Sequence, residues 1–289
     1  QINIASIFAR TRRIMRPKFH TLTVSDVRRE TKDCVSIAFD VPDELKENYQ
    51  FRQGQYLTLR ETIDGEDIRR SYSICSGVNE PELRVAIKEV PHGKFSTWAN
   101  RELQKGHSMQ VMTPMGTFGT EISNSQKKKY LLVAAGSGIT PVFSIAKSVL
   151  AAEQESEVIL LFGNRYFQSI IFREQLEDLK DRYLGRFRVF HVLSAEPNDV
   201  DLYSGRIDRA KLEGFAKGFI QMDTIDEVFV CGPEPLIRLV KEFSIERGIA
   251  EDNIHFELFG TPNPTAGGNA EKQTEPAVES GKRCAVTVV

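Results

Sequence analysis

The spacing of the apolar residues changes partway along this chain, near Gln126, and that change constrains the possible folds more than any other feature. Before it, short segments alternate apolar and polar residues. In LRVAIKEV, for example, Leu83, Val85 and Ile87 share one face, and Arg84 lies on the opposite face. A period of two is typical of a half-buried strand. Turns containing Gly and Asp separate some of these segments, so this part is predicted to form a small antiparallel barrel.

After Gln126 the chain alternates strands with helices. Strand-like segments read YLLVAAG, VILLFG, RFRVFHVLS, EVFVCG and IHFELFG, and the helix after the first of them places Val142, Ile145 and Val149 on one face. Strands that alternate with helices predict a doubly wound parallel sheet. The predicted fold class is therefore β plus α/β, an antiparallel barrel followed by a parallel-sheet domain.

These patterns divide the chain into an N-terminal arm at 1–18, a barrel at 19–125, an α/β domain at 126–260 and a final segment at 261–289. The arm is basic and is expected to be solvated. The final segment begins with a linker rich in Pro and Gly, which is expected to be flexible, and ends in the strand-like CAVTVV.

Composition excludes several functional classes. A chain of 289 residues suits two domains of about 150 residues each. The net charge of −2 argues against a nucleic-acid partner, and the absence of an apolar run of about 18 to 20 residues argues against a membrane span. The four cysteines contain no close pair and the five histidines are scattered, so no metal site is predicted and a reducing cytoplasm is expected.

The segment AAGSGITP at 134–141 is the strongest candidate site of the second domain. Gly136 and Gly138 follow a strand and allow close backbone approach, and Pro141 is predicted at the first helical position. Backbone N–H groups and the helix dipole then face a pyrophosphate. A tight turn with a purely structural role is the alternative.

The end of the second parallel strand indicates which dinucleotide binds. There the sequence reads Gly163-Asn164-Arg165, with Ser169 and Arg173 shortly after it. An acidic residue at this place binds the ribose hydroxyls of NAD, whereas arginine favours the 2′-phosphate of NADP. The prediction is NADPH, with NADH possible; the alternative is that Arg165 and Arg173 are merely solvated.

Two segments of the barrel suit a second dinucleotide, FAD. In residues 69–73 (RRSYS), Arg70 can hold a phosphate while Tyr72 covers a flat ring. In residues 93–97 (GKFST), a glycine and hydroxyl-bearing residues precede a helix, which makes a second anion site. An ordinary surface strand is the alternative.

Taken together, these segments resemble the ferredoxin–NADP reductase superfamily. The segments that carry the resemblance, in order, are RRSYS at 69–73, GKFST at 93–97, GTFG at 116–119, GSGITP at 136–141 and CGPEP at 231–235. Within the superfamily, segments such as FRQGQYLTL, ELRVAIKEV and SGRID make the sequence most similar to the reductase components of phenylacetyl-CoA epoxidase systems.

The resemblance implies roles for individual residues. Ser73, Cys231 and Glu257 are the implied catalytic residues, because they are expected beside the flavin and the nicotinamide. Tyr72 is expected against the flavin ring, and Phe259 in the place that the nicotinamide takes. The residues predicted to bind cofactors are Arg70, Ser71, Tyr72, Ser73, Val85, Ala86, Ile87, Lys88, Gly93, Lys94, Phe95, Ser96, Thr97, Gly136, Gly138, Ile139, Thr140, Pro141, Asn164, Arg165, Ser169, Arg173, Cys231, Gly232, Pro233 and Phe259.

The implied function is hydride transfer from NADPH to FAD, followed by single-electron transfer through a [2Fe–2S] ferredoxin to an oxygenase of phenylacetate or aromatic degradation. Family members carry a plant-type ferredoxin domain after a linker, and CAVTVV is similar to the first strand of that domain. The cluster is therefore expected only in a C-terminal domain that this sequence lacks. The alternatives are an NADH-dependent dioxygenase reductase and a non-catalytic, flavin-binding docking subunit.

Overall fold

The structure, a computed structural model, describes residues 17–259 and the backbone of residues 284–286. The predicted arm, except for its last two residues, and the predicted linker lie outside the described residues. Two six-stranded sheets, one antiparallel and one parallel, organise the rest. In the described part of the chain, no helix combines the length and the apolar character needed to cross a membrane.

The first sheet is an antiparallel barrel, as predicted. Its strands are β1 (Phe19–Thr31), β2 (Cys34–Asp40), β3 (Tyr56–Ile63), β4 (Glu66–Ser73), β5 (Leu83–Lys88) and β6 (Ser108–Met112), in the order β4-β3-β6-β1-β2-β5. A bridge between Ile74 and Val85 joins the two edge strands and closes the sheet. Helix α1 (Lys94–Arg101) packs Phe95 and Ala99 into the barrel core.

Strand β5 is buried on both faces, so the prediction of a half-buried strand is wrong. Arg84, expected in solvent, is 5% exposed and pairs with Asp26 and Glu82. Ala86 belongs to a hydrophobic cluster that also contains residues of the second sheet and its helices, such as Val142. The second domain therefore covers the outer face of β5, and an alternating pattern cannot reveal burial against another domain.

The second sheet is parallel and doubly wound, as predicted. Its strands are β7 (Lys129–Ala135), β8 (Glu157–Asn164), β9 (Phe187–Leu193), β10 (Glu227–Gly232), β11 (Ile254–Phe259) and β12 (Cys284–Val286), in the order β12-β11-β10-β7-β8-β9. Its helices are α2 (Ile139–Ala152), α3 (Arg173–Arg182), α4 (Arg209–Gly218) and α5 (Glu234–Glu246). One face packs on α2 and α3 and the other on α4 and α5. The strand order reverses between β7 and β10, which is where such sheets open a crevice for ligands.

Strand β12 differs from its predicted place. The sequence assigns CAVTVV to the start of a separate domain, whereas the backbone of Cys284–Val286 pairs in parallel with β11, with Glu257 in register with Cys284. An edge strand presents unpaired backbone N–H and C=O groups, which a short β-forming segment satisfies.

Candidate functional site

The three predicted catalytic residues lie together where the barrel joins the carboxyl edge of the parallel sheet. Ser73 ends β4, and Cys231 of β10 is in register with Glu257 of β11. The Ser73 hydroxyl donates to Oε2 of Glu257 at 3.4 Å, so this contact crosses from one domain to the other. All three side chains are buried, at 0–1% exposure.

Burial governs the protonation of this cluster. Removal from water raises the pKa of Glu257 to about 8, and the hydrogen bond from Ser73 opposes that rise only partly. The carboxyl is therefore mostly protonated at neutral pH. Burial likewise raises the pKa of the Cys231 thiol well above its ordinary value, and the neighbouring Glu257 raises it further. Cys231 is thus a neutral thiol and a poor nucleophile.

The glycine-rich turn between β7 and α2 uses its two glycines differently. Gly136 has a φ of +54°, and a Cβ added there would meet no atom within 4 Å, so its backbone is open to a ligand. A Cβ on Gly138 would lie 2.2 Å from the carbonyl oxygen of Cys231. The close approach that Gly138 allows is therefore to β10 rather than to a pyrophosphate.

The start of α2 also differs from the prediction. Residues Gly136–Gly138 form a 3-10 turn that runs directly into a helix beginning at Ile139, so Pro141 is the third helical residue and not the first. Ile139 is fully buried, and the Thr140 hydroxyl donates to the carbonyl of Ser137 at 3.0 Å. Their side chains are used by the protein, which leaves the backbone for a ligand.

Asn164, Arg165 and Arg173, which are predicted to bind the nicotinamide cofactor, lie at or shortly after the end of β8. Asn164 is 7% exposed, and its side-chain nitrogen is buried without a partner in the described structure. Arg165 and Arg173 stack over Tyr166 and Phe167, at 5.8 and 4.7 Å from the ring centroids. A guanidinium stacked on a ring keeps its N–H groups in its own plane, where a phosphate can meet them.

Sequence reasoning missed three features of this end of β8. Tyr166 and Phe167 are 46% and 47% exposed, and an aromatic pair directly after a strand end was the available signal. The Ser169 hydroxyl donates to the carbonyl of Tyr166 at 2.7 Å, so it closes a turn instead of remaining open to a phosphate. A carboxylate oxygen of Glu196 accepts from the backbone N–H of Phe167 at 2.7 Å, a contact that no local pattern predicts.

In the barrel, segment 69–73 ends at the junction with the parallel sheet, but not all of its side chains have the predicted orientation. Tyr72 is 4% exposed and packs in the barrel core against Phe95, with ring centroids 5.6 Å apart. Its ring therefore presents no open face, contrary to the expectation that it covers a flat ligand, although its buried hydroxyl has no partner among the described residues. Ser71 shares a hydrogen bond with Thr58, and Arg70 donates to the carbonyl of Arg69.

Segment 93–97 uses most of its polar side chains internally. The Ser96 hydroxyl donates to the carbonyl of Gly93 and accepts from the N–H of Val90, and a Cβ on Gly93 would lie 2.5 Å from that hydroxyl. Lys94 pairs with Glu66, Thr97 donates to Glu89, and Phe95 is in the core. The expectation that the Ser96 hydroxyl donates to a phosphate is wrong, because that hydroxyl is used within the segment. What remains for an anion is the backbone at the start of α1.

The prediction that the side chains of residues 85–88 bind a cofactor is also corrected. Val85 and Ile87 are fully buried in the barrel core, Ala86 packs in the cluster between the domains, and Lys88 lies 3.6 Å from Asp33. The first three side chains cannot reach a ligand outside the barrel, since the outer face of β5 is covered.

At the end of β10, Gly232 packs against Ala135, and Pro233 is exposed and precedes α5. Phe259, at the end of β11, is half-buried against the cluster between the domains. The predicted residues of CGP and of β11 therefore lie at one edge of the sheet, where the parallel strands end.

The distribution of unpaired polar atoms fits cofactors that contact both domains. Of the five buried side-chain polar atoms without a partner among the described residues, three belong to predicted site residues, namely the Tyr72 hydroxyl, the Asn164 nitrogen and Glu257 Oε1; the other two are His191 Nδ1 and Ser244 Oγ. Leaving one such group unpaired costs about 1–3 kcal/mol, so each of the three site atoms is suited to a ligand atom. Within the described residues, no group of three or more His, Cys, Asp or Glu side chains is arranged to hold a metal ion.

Comparison with known proteins agrees with this geometry. The family profile of the oxidoreductase FAD-binding domain matches residues 21–119, and that of the oxidoreductase NAD-binding domain matches residues 132–242. One component of the 1,2-phenylacetyl-CoA epoxidase of Escherichia coli (strain K12) is 42% identical over 244 residues, which cover 84% of this chain and 68% of that protein.

The ferredoxin reductase component of the 3-ketosteroid-9-alpha-monooxygenase of Rhodococcus rhodochrous is 34% identical over 83% of this chain and 65% of its own length. This chain thus spans about two thirds of the length of these curated relatives. The FAD/NAD-binding domain of the nitric oxide dioxygenase of Vibrio cholerae O1 biovar El Tor has a similar fold, with a TM-score of 0.70, 23% identity and coverage of 83% of this chain and 98% of its own. On this evidence the chain belongs to the ferredoxin reductase family of FAD- and NAD-binding oxidoreductases.

Proposed function

We propose that this chain is the reductase of an oxygenase system, which takes a hydride from NADPH onto FAD and passes single electrons to a ferredoxin and then to an oxygenase. The names of two relatives, parts of an epoxidase and of a monooxygenase system, support this proposal. When bound, the flavin supplies the conversion between two-electron and one-electron transfer.

The observation that carries the proposal is the buried contact between Ser73 and Glu257, with Cys231 in register beside Glu257. It lies where an FAD-binding type of domain meets the carboxyl edge of a nucleotide-binding type of sheet. Hydride transfer requires two rings in contact without water, and a buried junction between two such domains meets that requirement.

The chain's own residues then have distinct tasks. The backbone at Gly136 and at the start of α2 binds the pyrophosphate of the nicotinamide cofactor, and the Asn164 amide donates to the same ligand. Arg70 and the backbone at the start of α1 bind the phosphates of FAD. Ser73 orients the Glu257 carboxyl through Oε2, and that carboxyl holds a proton at neutral pH.

An anaerobic titration of the FAD-reconstituted protein tests this function. Bleaching of the flavin absorbance at much lower concentrations of NADPH than of NADH is the expected result. Bound flavin that neither nucleotide reduces would favour the non-catalytic docking role, and failure to bind FAD would contradict the proposal altogether.

Glu196 favours a second candidate, an NADH-dependent reductase. Its carboxylate lies at the turn after β8, 2.7 Å from the N–H of Phe167, where its charge repels a 2′-phosphate. Arg165→Asp and Glu196→Gln separate the two candidates. If NADPH is the donor, Arg165→Asp raises its KM roughly tenfold or more through loss of a charge-assisted contact, and Glu196→Gln lowers it. If NADH is the donor, Arg165→Asp leaves NADH turnover intact.

The acceptors are proposed from the same relatives. A plant-type [2Fe–2S] ferredoxin domain and an oxygenase that acts on phenylacetyl-CoA or another aromatic compound are the partners that we propose. Three buried free thiols, Cys34, Cys75 and Cys231, support a reducing compartment such as the cytoplasm. NADPH-dependent reduction of an added [2Fe–2S] ferredoxin, followed by its absorbance, tests the electron path; an unreduced cluster beside reduced flavin would contradict it.

A further inference from the structure

Helix α2 is fastened to the barrel by two buried serines. Ser144 and Ser148 lie one helical turn apart and are both 0% exposed. The Ser144 hydroxyl donates to the carbonyl of Ser76 at 2.6 Å. The Ser148 hydroxyl accepts from the N–H of Val78 at 3.0 Å and donates to the carbonyl of Ser144 at 2.7 Å. Both serines thus hold the backbone of one barrel segment, 76–80, which we call the interdomain loop.

The interdomain loop lies close against α2. The Glu80 carboxylate accepts from the N–H of Gly77 and pairs with Lys147 of α2 at 2.6 Å. A Cβ added to Gly77 would lie 3.1 Å from the Cβ of Lys147. There is consequently little room for the loop to slide along the helix.

This contact connects the two proposed cofactor segments through only a few residues of chain. The loop begins at Ser76, three residues after Ser73 at the end of the FAD-type segment. Ser144 follows Pro141, the end of the nucleotide-type segment, by three residues. Very little chain separates this contact from either segment. A change in the contact therefore moves the two segments relative to each other.

The apolar part of the covered face constrains the angle between the domains less sharply than hydrogen bonds do. Cys34, Cys75 and Ala86 of the barrel pack against apolar residues such as Val142 and Phe143 of α2. Hydrophobic contact is not directional, whereas a hydrogen bond weakens steeply when its geometry is altered. Directional contacts also cross between the domains at Ser73–Glu257, Lys147–Glu80 and Gln175–Glu30. The serine contacts differ from these because they are fully buried and hold the backbone of the interdomain loop.

We propose that Ser144 and Ser148 are positioning residues that set the angle between the barrel and the parallel sheet, and thereby the contact between the flavin and nicotinamide rings. This inference rests on the proposed function. A packing role alone would stabilise the fold without affecting the approach of the two rings.

The test compares Ser144→Ala, Ser148→Ala and the double variant with Ser244→Ala. Ser244 of α5 is a matched control because it is also 0% exposed in a helix, while its hydroxyl has no partner in the described structure. Three quantities are measured: hydrogen exchange of the Val78 amide in the apoprotein, the long-wavelength absorbance of NADP⁺ on reduced flavin, and the limiting rate of flavin reduction beside the Kd for NADPH.

We expect faster exchange of the Val78 amide in Ser148→Ala, loss of the long-wavelength band, and a limiting rate lowered roughly 10- to 100-fold with little change in Kd. Ser244→Ala is expected to match the wild type. If the double variant loses cooperative unfolding, Ser148→Ala alone decides, because it removes a single interdomain contact.

Unchanged absorbance and rate in a folded Ser148→Ala protein would overturn the inference, as would an equal loss in Ser244→Ala. A wild-type protein whose flavin neither nucleotide reduces would instead overturn the proposed function, so the two failures are distinguishable.

Discussion

The parallel sheet buries a glutamate near each of its two ends, and the surroundings of the two side chains differ. Glu227, the first residue of β10, is 6% exposed and accepts hydrogen bonds from Thr120 and Lys128, with His255 at 3.2 Å. These partners together hold the pKa of Glu227 below its ordinary value despite burial. Glu257, near the end of β11, has Ser73 as its protein partner among the described residues, and burial raises its pKa.

The difference supports different roles for the two ends of the sheet. Glu227 is fully satisfied and attaches the segment between the domains, through Thr120 and Lys128, to the sheet. Glu257 keeps an oxygen without a partner in the described structure, at the edge where parallel sheets bind ligands. Unsatisfied buried groups and displaced pKa values concentrate at functional sites, which supports our proposal that the carboxyl edge is the working end.

The largest effect on stability is expected from Glu227→Ala. It leaves Thr120, Lys128 and His255 without their shared acceptor, which costs about 2 kcal/mol or more of unfolding free energy. Urea unfolding measures this change. Glu155→Ala is the control, because Glu155 pairs with Lys127 in solvent and is expected to change stability little. Equal losses of unfolding free energy in Glu227→Ala and Glu155→Ala would contradict the structural role of the buried Glu227.

The two glutamates are expected to give opposite dependences of stability on pH. The folded pKa of Glu257 is raised from 4.5 to about 8, so its contribution is present below 4.5 and is lost as pH rises toward 8. The slope is at most about 1.4 kcal/mol per pH unit for one proton. The folded pKa of Glu227 is lowered, so its contribution is present above 4.5 and is lost as pH falls.

Urea midpoints between pH 4 and 9 test this pair of slopes. Glu257→Gln is expected to reduce the decline of stability on the alkaline side. Glu227→Gln is expected to reduce the decline of stability on the acid side. The same variant flattening both sides would mean that the two carboxyls do not differ as described.

The smallest effect is expected from Ser73→Ala. The Ser73 hydroxyl lowers the pKa of Glu257, so its removal raises that pKa further. The pH–rate profile of flavin reduction then shifts to the alkaline side, while the rate at its plateau falls only about fivefold, since a hydrogen bond contributes about 1 kcal/mol. Ser71→Ala serves as the control, because Ser71 is on the same strand as Ser73 but its hydroxyl bonds to Thr58 of the neighbouring strand β3. If the pH–rate profile of Ser73→Ala does not shift, Ser73 does not influence the pKa of Glu257.

Much of this arrangement could be predicted from the sequence, because periodicity reports burial within a domain. The change from period two to alternating strands and helices indicated both sheets, and the carboxyl ends of parallel strands necessarily share one edge. Glu257 was identified through the family resemblance, since nothing in IHFELFG distinguishes a buried glutamate from one at a surface.

What could not be predicted depends on contacts between distant segments. Arg84 is buried with Asp26, Ser36 and Glu82, which come from separate parts of the barrel, and the hydroxyls of Ser96 and Thr140 are used by neighbouring carbonyls. Residue type indicates that a hydroxyl can bind a phosphate. It does not indicate whether the protein has already used that hydroxyl.

The most direct test of the working end is the rate at which NADPH reduces the flavin in Glu257→Gln beside Glu227→Gln, followed by stopped-flow absorbance. A wild-type protein that is reduced readily, an unaffected Glu227→Gln and a Glu257→Gln slowed roughly tenfold or more are predicted, because of the two glutamates Glu257 is the one that we propose to hold a proton beside the rings. Equal rates in all three proteins, or slowing in Glu227→Gln alone, would contradict the account.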